Sequence, residues 1–184
     1  ITPTCGKIFQ WGRIYGSLAS TDAVQTTAEL VTDTIGFESK DPWKDKFITS
    51  ADHPYDWASP QINDLWNSGT ETNPVKTSSD PCPKGWRVPT ATEWNALGTG
   101  NADGKSFADG IMTIDGVDGV KLVLPAAGYR NRPNGNTSSQ SSSGNYWSSS
   151  VSGTSGRRVY FNNTTLTANV NSRATGSSVR CIQE

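Results

Sequence analysis

Asp80-Pro-Cys-Pro-Lys-Gly-Trp-Arg-Val-Pro-Thr-Ala-Thr-Glu-Trp94 decides the fold, because it carries a helix start that local chemistry makes explicit. In Thr90-Ala-Thr-Glu93 the hydroxyl and the carboxylate each satisfy a free backbone amide of the other, which is a capping box. The helix this starts turns Trp94 and Leu97 toward the core and stops at Gly98. Upstream, Ser59-Pro60 reads as an N-cap with proline at the first helical position; Ile62, Leu65 and Trp66 follow at helical spacing, and Gly69 stops the run. Two short helices are therefore expected. Downstream, Val117-Asp-Gly-Val120 lies between apolar runs and reads as a hairpin turn into a strand at 121–124. Further short strands are expected at 145–149, 158–161 and 178–182, and an alternating, aromatic strand at 6–15.

The chain has 184 residues, enough for one sizeable core and few for two. Mean hydropathy is low at -0.55, yet seven Trp, five Tyr and five Phe supply large apolar surfaces, so the core is expected to be aromatic. Eighteen Gly and ten Pro among many Ser, Thr and Asn favour short strands and long connections, which excludes a helical bundle. The stretch 17–34 gives no clear element. The irregular stretch 36–59 carries Phe37, Trp43, Phe47, Tyr55 and Trp57. Such rings either stack on sugar faces or pin the loop to the core, and the second role is the commoner one for large aromatics.

Charge divides the chain. Residues 1–119 hold 9 basic against 16 acidic residues, or -7; residues 120–184 hold 7 against 1, or +6. Either the basic part folds over the acidic part, or it offers a basic binding face; both readings stay open. Its six arginines are dispersed, with Arg157 and Arg158 the one adjacent pair, so no nucleic-acid partner is expected. No stretch reaches the roughly 18 apolar residues of a membrane span, so no membrane insertion by this domain is expected. The opening at Ile1 reads as that of a mature or excised C-terminal part. Three cysteines, Cys5, Cys82 and Cys181, are too few and too far apart for a zinc site of CxxC pairs and fit one disulfide with a spare thiol.

The phrase from Asp80 to Trp94, then Leu124-Pro-Ala-Ala-Gly-Tyr-Arg130 with Gly144-Asn-Tyr-Trp-Ser-Ser-Ser150, and last Arg173-Ala-Thr-Gly-Ser-Ser-Val-Arg-Cys-Ile182, resemble in this order the major paralogous (FISUMP) domain of bacterial surface lipoproteins and fimbrial tip proteins. Phe9-Gln-Trp-Gly-Arg13 and Asn63-Asp-Leu-Trp66 are similar to the version that ends fimbrillin-type adhesins. The resemblance implies one domain over 1–184 with an α+β, C-type-lectin-like fold, akin to that of formylglycine-generating enzymes: short strands, two short helices and long loops. It also implies a Cys82 to Cys181 disulfide, with Cys5 free or paired elsewhere. Closing a loop of that length is worth at most ~4–5 kcal/mol.

The stretch from Gly144 to Cys181 further resembles the variable region of lectin-fold proteins diversified by retroelements, in which Asn, Ser and Thr dominate. A low-complexity loop region of an invariant adhesin accounts for the same letters. In either case Val159, Phe161 and Leu166 are expected to anchor strands, while Arg158, Tyr160 and Asn162 alternate onto the opposite face. The ligand surface is accordingly placed on Asn145, Tyr146, Ser152, Thr154, Arg157, Arg158, Tyr160, Asn162, Asn163, Thr165, Asn169, Asn171 and Arg173. Segment 145–173 has no carboxylate, and Tyr and Arg are enriched among binding anchors.

Catalytic constellations are sparse. His53, the one histidine, stands beside a proline in a polar loop, where a tethering or surface role is the commoner one. Asp52, Asp56 and Glu93 are the carboxylates open to glycosidase chemistry, but Glu93 has its capping role and nothing pairs the others. Formylglycine-generating chemistry needs a cysteine pair that the expected disulfide removes. The calcium phrases Glu-Pro-Asn and Gln-Pro-Asp are missing; Asn131-Arg-Pro-Asn134 puts a cation where a carboxylate belongs, and Asp103, Asp109, Asp115 and Asp118 lack EF-hand spacing. No cofactor, metal or enzymatic activity is expected. The sequence points to an extracellular binding or adhesion module at a bacterial surface or pilus tip, outer membrane-anchored or fimbrial, with a glycan or protein ligand and pilus subunits as partners. The alternatives are a diversified receptor that binds protein through 145–177, and a degenerate enzyme.

Overall fold

The computed structural model describes residues 6–17, 24–25 (backbone), 46–98 and 104–184. Cys5, Phe37, Trp43 and Asp103, together with most of the unread stretch after Ser17, lie outside the described residues. In chain order the elements are β1 (Phe9–Gln10), β2 (Val24–Gln25), β3 (Phe47–Ile48), β4 (Trp86–Arg87), α1 (Ala91–Asn95), β5 (Lys105–Ala108), β6 (Ile111–Asp115), β7 (Lys121–Pro125), β8 (Tyr129–Arg130), β9 (Thr137–Ser138), β10 (Ser143–Ser152), β11 (Ser155–Asn162), β12 (Leu166–Ser172), β13 (Gly176–Ser177) and β14 (Ile182–Gln183). Antiparallel sheets β10-β11-β12 and β5-β6-β7 dominate. A four-stranded sheet β1-β13-β8-β9 and the pairs β14-β4 and β2-β3 complete the described architecture.

The capping box forms as expected. Thr90 accepts the amide of Glu93, Glu93 accepts the amide of Thr90, and Trp94 is buried. The turn at 117–120 joins β6 to β7 as a hairpin, with Asp115 paired to Lys121. Around the cap, Asp80 organises the Cys82 loop: its Oδ1 accepts the amide of Cys82 at 2.8 Å and its Oδ2 that of Val88 at 2.8 Å. The serines of Trp147-Ser-Ser-Ser150 are buried, and Ser150 Oγ accepts the Ala91 amide at 2.8 Å. Strand β10 thereby caps the helix from across the molecule. Cys82 and Cys181 are joined, with Cα atoms 5.8 Å apart, beside the β4-β14 pair that brings the chain's last residues back to Trp86 and Arg87.

The expected two-helix, C-type-lectin-like arrangement is not formed. Among the described residues α1, five residues long, is the one α-helix, in a mixed α+β domain of many short strands. The stretch 59–69 is irregular because its backbone is recruited by distant side chains. The Ile62 carbonyl accepts Arg173 Nη1 at 3.0 Å and the Leu65 carbonyl accepts the Thr77 hydroxyl. Adjacent Leu65 and Trp66 are both buried, and the Trp66 indole donates to the Arg13 carbonyl. Tertiary contacts here override local propensity. The strand expected at 6–15 shortens to β1, since a turn follows in which the Arg13 amide donates to the Gln10 carbonyl. That expected at 178–182 reduces to β14 plus a bridge from Ser178 to Tyr146.

Two clusters form the core. Trp11, Trp57, Trp66, Trp147 and Ile48 make one; Trp94, Met112, Leu124, Tyr146, Val159, Phe161 and Leu166 make the other. Each buried indole finds a main-chain acceptor, as when Trp11 donates to Ser148 and Trp147 to Phe9. That satisfies a donor which would otherwise cost a desolvation penalty. Phe47 and Trp57 of the aromatic loop are core residues, so those rings pin the chain rather than meet a ligand.

Candidate functional site

The hairpin β10-β11 and its edge strand β12 supply the candidate surface. Because strand side chains alternate, Tyr146, Val159, Phe161 and Leu166 pack on one side against the second cluster. Asn145, Trp147, Arg158 and Tyr160 occupy the other side, in the register Asn145 to Tyr160 and Trp147 to Arg158. That side is itself divided. At one end Trp147 and Gly156 close against Trp11, and a Cβ on Gly156 would stand 2.7 Å from the Trp11 ring, so glycine is required for this approach. Beside this contact the sheet borders a recess of about 530 Å³, whose lining includes Asn145, Arg158, Tyr160, Asn171, Tyr129 and Arg132.

Within it, Arg158 Nη1 donates to Asn145 Oδ1, and Asn145 Nδ2 donates to the Gly128 carbonyl at 3.1 Å. The Arg158 guanidinium lies 5.7 Å from the Tyr160 ring centre, and Asn162 Nδ2 donates to Tyr160 Oη at 3.1 Å. Arg158 Nε is buried without an acceptor. Burial holds the Arg158 guanidinium below its ordinary value, while Tyr160 and Tyr129 pull the other way. Also in the lining, Arg132 stacks 3.7 Å from the Tyr55 ring centre and donates to the Ser50 carbonyl. Among the described residues no carboxylate pairs with Arg158 or Arg132, and none lines the recess.

Of the residues expected on the ligand surface, the recess brings together Asn145, Arg158, Tyr160 and Asn171. Asn162 and Asn169 share their side of the sheet: Asn169 pairs with Arg158, and Asn162 is two residues from Tyr160. The two flanking loops do not both border the site. Ser152 and Thr154 sit at one hairpin end and Asn163 and Thr165 at the other, roughly 20–25 Å apart by strand rise along the eight residues of β11. Arg157 points away, being on the opposite side to Arg158, and is exposed.

Three of the expected residues are buried, and Asn145, 1% exposed, has its amide oxygen on Arg158 and its amide nitrogen on the Gly128 carbonyl. Tyr146 is a core residue, 5% exposed, with its hydroxyl on the Pro125 carbonyl. Arg173 is 1% exposed and donates to the Ile62 and Gly153 carbonyls and to Asn63 Oδ1. It also forms an ion pair with Asp56 at 3.8 Å and covers the Trp11 ring. Asp56 accepts the amides of Trp57 and Ala58 and the side chain of Gln61, and burial nevertheless raises its carboxyl above its ordinary value. Arg173 thus takes the complementary role between basic and acidic parts, while Arg158 and Arg132 do not.

Tyr129, Asn131, Arg132 and Thr175 also line the recess, outside the residues expected on the ligand surface. They follow the LPAAG phrase or strand β12, and no local pattern marks them. None of the carboxylates considered for catalysis, Asp52, Asp56 and Glu93, is in the recess lining. Glu93 is held below its ordinary value by Arg87, against partial burial and with help from the Thr90 amide, and Asp56 is committed to the core. The described residues hold no group of three or more His, Cys, Asp or Glu suited to a metal. No described helix is long and apolar enough to cross a membrane, and the Cys82–Cys181 bond fits an extracellular or periplasmic compartment. In comparison with known proteins the chain matches no family model, no curated protein and no solved structure.

Proposed function

We propose that this chain is an extracellular binding module of a bacterial surface protein or pilus tip, and that it holds its ligand in the β10–β12 recess. The pocket, carboxylate-free among the described residues, carries this reading: Arg158, Tyr160 and Asn171 are presented together on a sheet whose reverse side is packed core, with the buried Asn145 holding Arg158 in place. Rigid strands with an aromatic ring, guanidinium groups and amides are the equipment of recognition, since Tyr and Arg act as anchors and short polar chains adapt their hydrogen bonds. Binding is supported by the lining, which among the described residues includes no carboxylate, histidine or cysteine to activate the Ser and Tyr hydroxyls present. The FISUMP-like phrases from Asp80 to Trp94 and from Arg173 to Ile182 support the surface assignment, as does the disulfide that joins them.

A second reading, a diversified receptor for protein ligands, is favoured by one observation. Val159, Phe161 and Leu166 are buried while Thr167 and Asn169 on β12 are half-buried or exposed, so these outer positions tolerate change without loss of the core. Genomic neighbours separate the two: fimbrial subunits support the adhesin, a reverse transcriptase with a template repeat the receptor. The direct test screens the 184-residue chain and its Tyr160→Ala variant on glycan and cell-surface protein arrays. Signals on a defined set of spots that Tyr160→Ala loses support the recess as the binding site; signals it retains in full overturn it.

A further inference from the structure

Resting on the reading of the recess as a ligand site, we propose that it selects an acidic sugar, one whose ring carries an anionic oxygen group such as a carboxylate or sulfate. Three observations converge. First, Arg132 and Arg158 line one pocket and neither has a carboxylate partner among the described residues, whereas Lys121 pairs with Asp115 and Arg173 with Asp56. Hydrogen bonds to carbonyls and amides satisfy donors but leave the two positive charges uncompensated, and partial burial strengthens their pull on an anion. Secondly, Arg158 is incompletely satisfied even as a donor. Nη1 is taken by Asn145, and Nε is buried without an acceptor. Nε of Arg173 shares that state, so the atom alone does not mark a ligand site; what suits Arg158 to an anion is that its guanidinium lines the recess without a carboxylate, and a guanidinium fork is shaped for the paired oxygens of a carboxylate or sulfate.

Thirdly, the rest of the lining suits a sugar better than a peptide. Ser139, Ser143, Asn171 and Thr175 offer short hydroxyl and amide groups for ring hydroxyls, and the Tyr160 ring offers a face for C–H bonds. Among the described residues Pro133 is the one aliphatic side chain in the lining, so an anchoring apolar peptide residue has little to enter. A volume of about 530 Å³ lies within the usual range for small-ligand sites and accommodates a sugar unit with its acidic substituent.

The test is isothermal titration of the 184-residue chain with lactose, 3′-sialyllactose, 3′-sulfolactose, inorganic sulfate and a glutamate-rich peptide. At least one acidic saccharide should bind tenfold or more tightly than lactose, the advantage should shrink as salt is raised, and Arg158→Gln should remove it while Arg158→Lys retains part. The two acidic saccharides distinguish carboxylate from sulfate, and inorganic sulfate shows whether the anion suffices without the sugar. Should Arg158→Gln fail to melt cooperatively, Arg132→Gln, in the same lining, carries the same comparison. Equal affinity for neutral and acidic saccharides, a preference that survives both arginine variants, preferential binding of the peptide or of sulfate alone, or no binding of any saccharide would each overturn the acidic-sugar inference. In all of these cases loss of array binding in Tyr160→Ala would still leave the recess as a binding site, so the two readings fail separately.

Discussion

Arg158 and Arg173 come from the same carboxylate-free segment, fifteen positions apart, and have opposite fates. Beneath Trp11, Arg173 meets a counter-charge on Asp56, two carbonyls and an amide oxygen, and is sealed from solvent. Arg158 meets an amide oxygen and a tyrosine ring, with no acid and an open recess before it. The first arrangement spends its charge inside the molecule. The second leaves it for a partner. Residue type and local composition do not distinguish the two; the partners supplied by distant parts of the chain do.

The largest expected effect falls on the buried member. Arg173→Met removes one half of a desolvated pair and strands Asp56, which is expected to cost roughly 3–5 kcal/mol of stability. Urea unfolding measures it, and a loss under 1 kcal/mol would erase the contrast drawn above. Next comes the sheet that separates recess from core. A Cβ on Gly144 would stand 2.0 Å from the Phe161 ring, so Gly144→Ala is expected to cost about 1–3 kcal/mol through overpacking. Thermal melting that left the variant unchanged would mean the sheet is more pliable than its packing implies.

A smaller effect concerns pH. Arg87 and the helix cap lower the Glu93 carboxyl from its ordinary value of 4.5, so the stability it lends is present above that value and is lost as pH falls through the lower folded value. Asp56 behaves in the opposite sense. Burial raises it from 3.8, so its contribution is greatest below that value and fades as pH rises through the folded one. Glu93→Gln should therefore flatten the acid limb of a stability profile below about pH 4.5, and Asp56→Asn should not. Profiles that ran the other way would reverse the roles assigned to the two acids.

What was legible in the sequence was local. The Thr90 capping box, the Asp118-Gly119 turn and the two-residue period of Val159 and Phe161 act through near neighbours, and the structure realises each. The Cys82–Cys181 pairing was reached through resemblance, and the bond is formed. What failed was long-range. Ser59-Pro60 looked like a helix start, but Arg173 and Thr77 take the carbonyls that a helix there would use. Tyr146 and Arg173 looked like anchors because their types favour interfaces, yet each faces a core cluster. In the sequence Arg132 reads only as a charge unsuited to calcium, and its place in the recess beside Arg158 depends on distant contacts, with Tyr55 and the Ser50 carbonyl.

Tyr160 is the most direct probe of the central claim, that the recess serves a partner rather than the fold. Its ring lines the pocket, half-buried, and its hydroxyl accepts a single hydrogen bond from Asn162. Measured together on one preparation, Tyr160→Ala should keep its unfolding free energy within about 1 kcal/mol of the parent. The same protein should lose roughly 1–3 kcal/mol of affinity for whichever array ligand the parent binds. Unchanged affinity, or a stability loss large enough to unfold the domain, would contradict the account and return this strand to the scaffold.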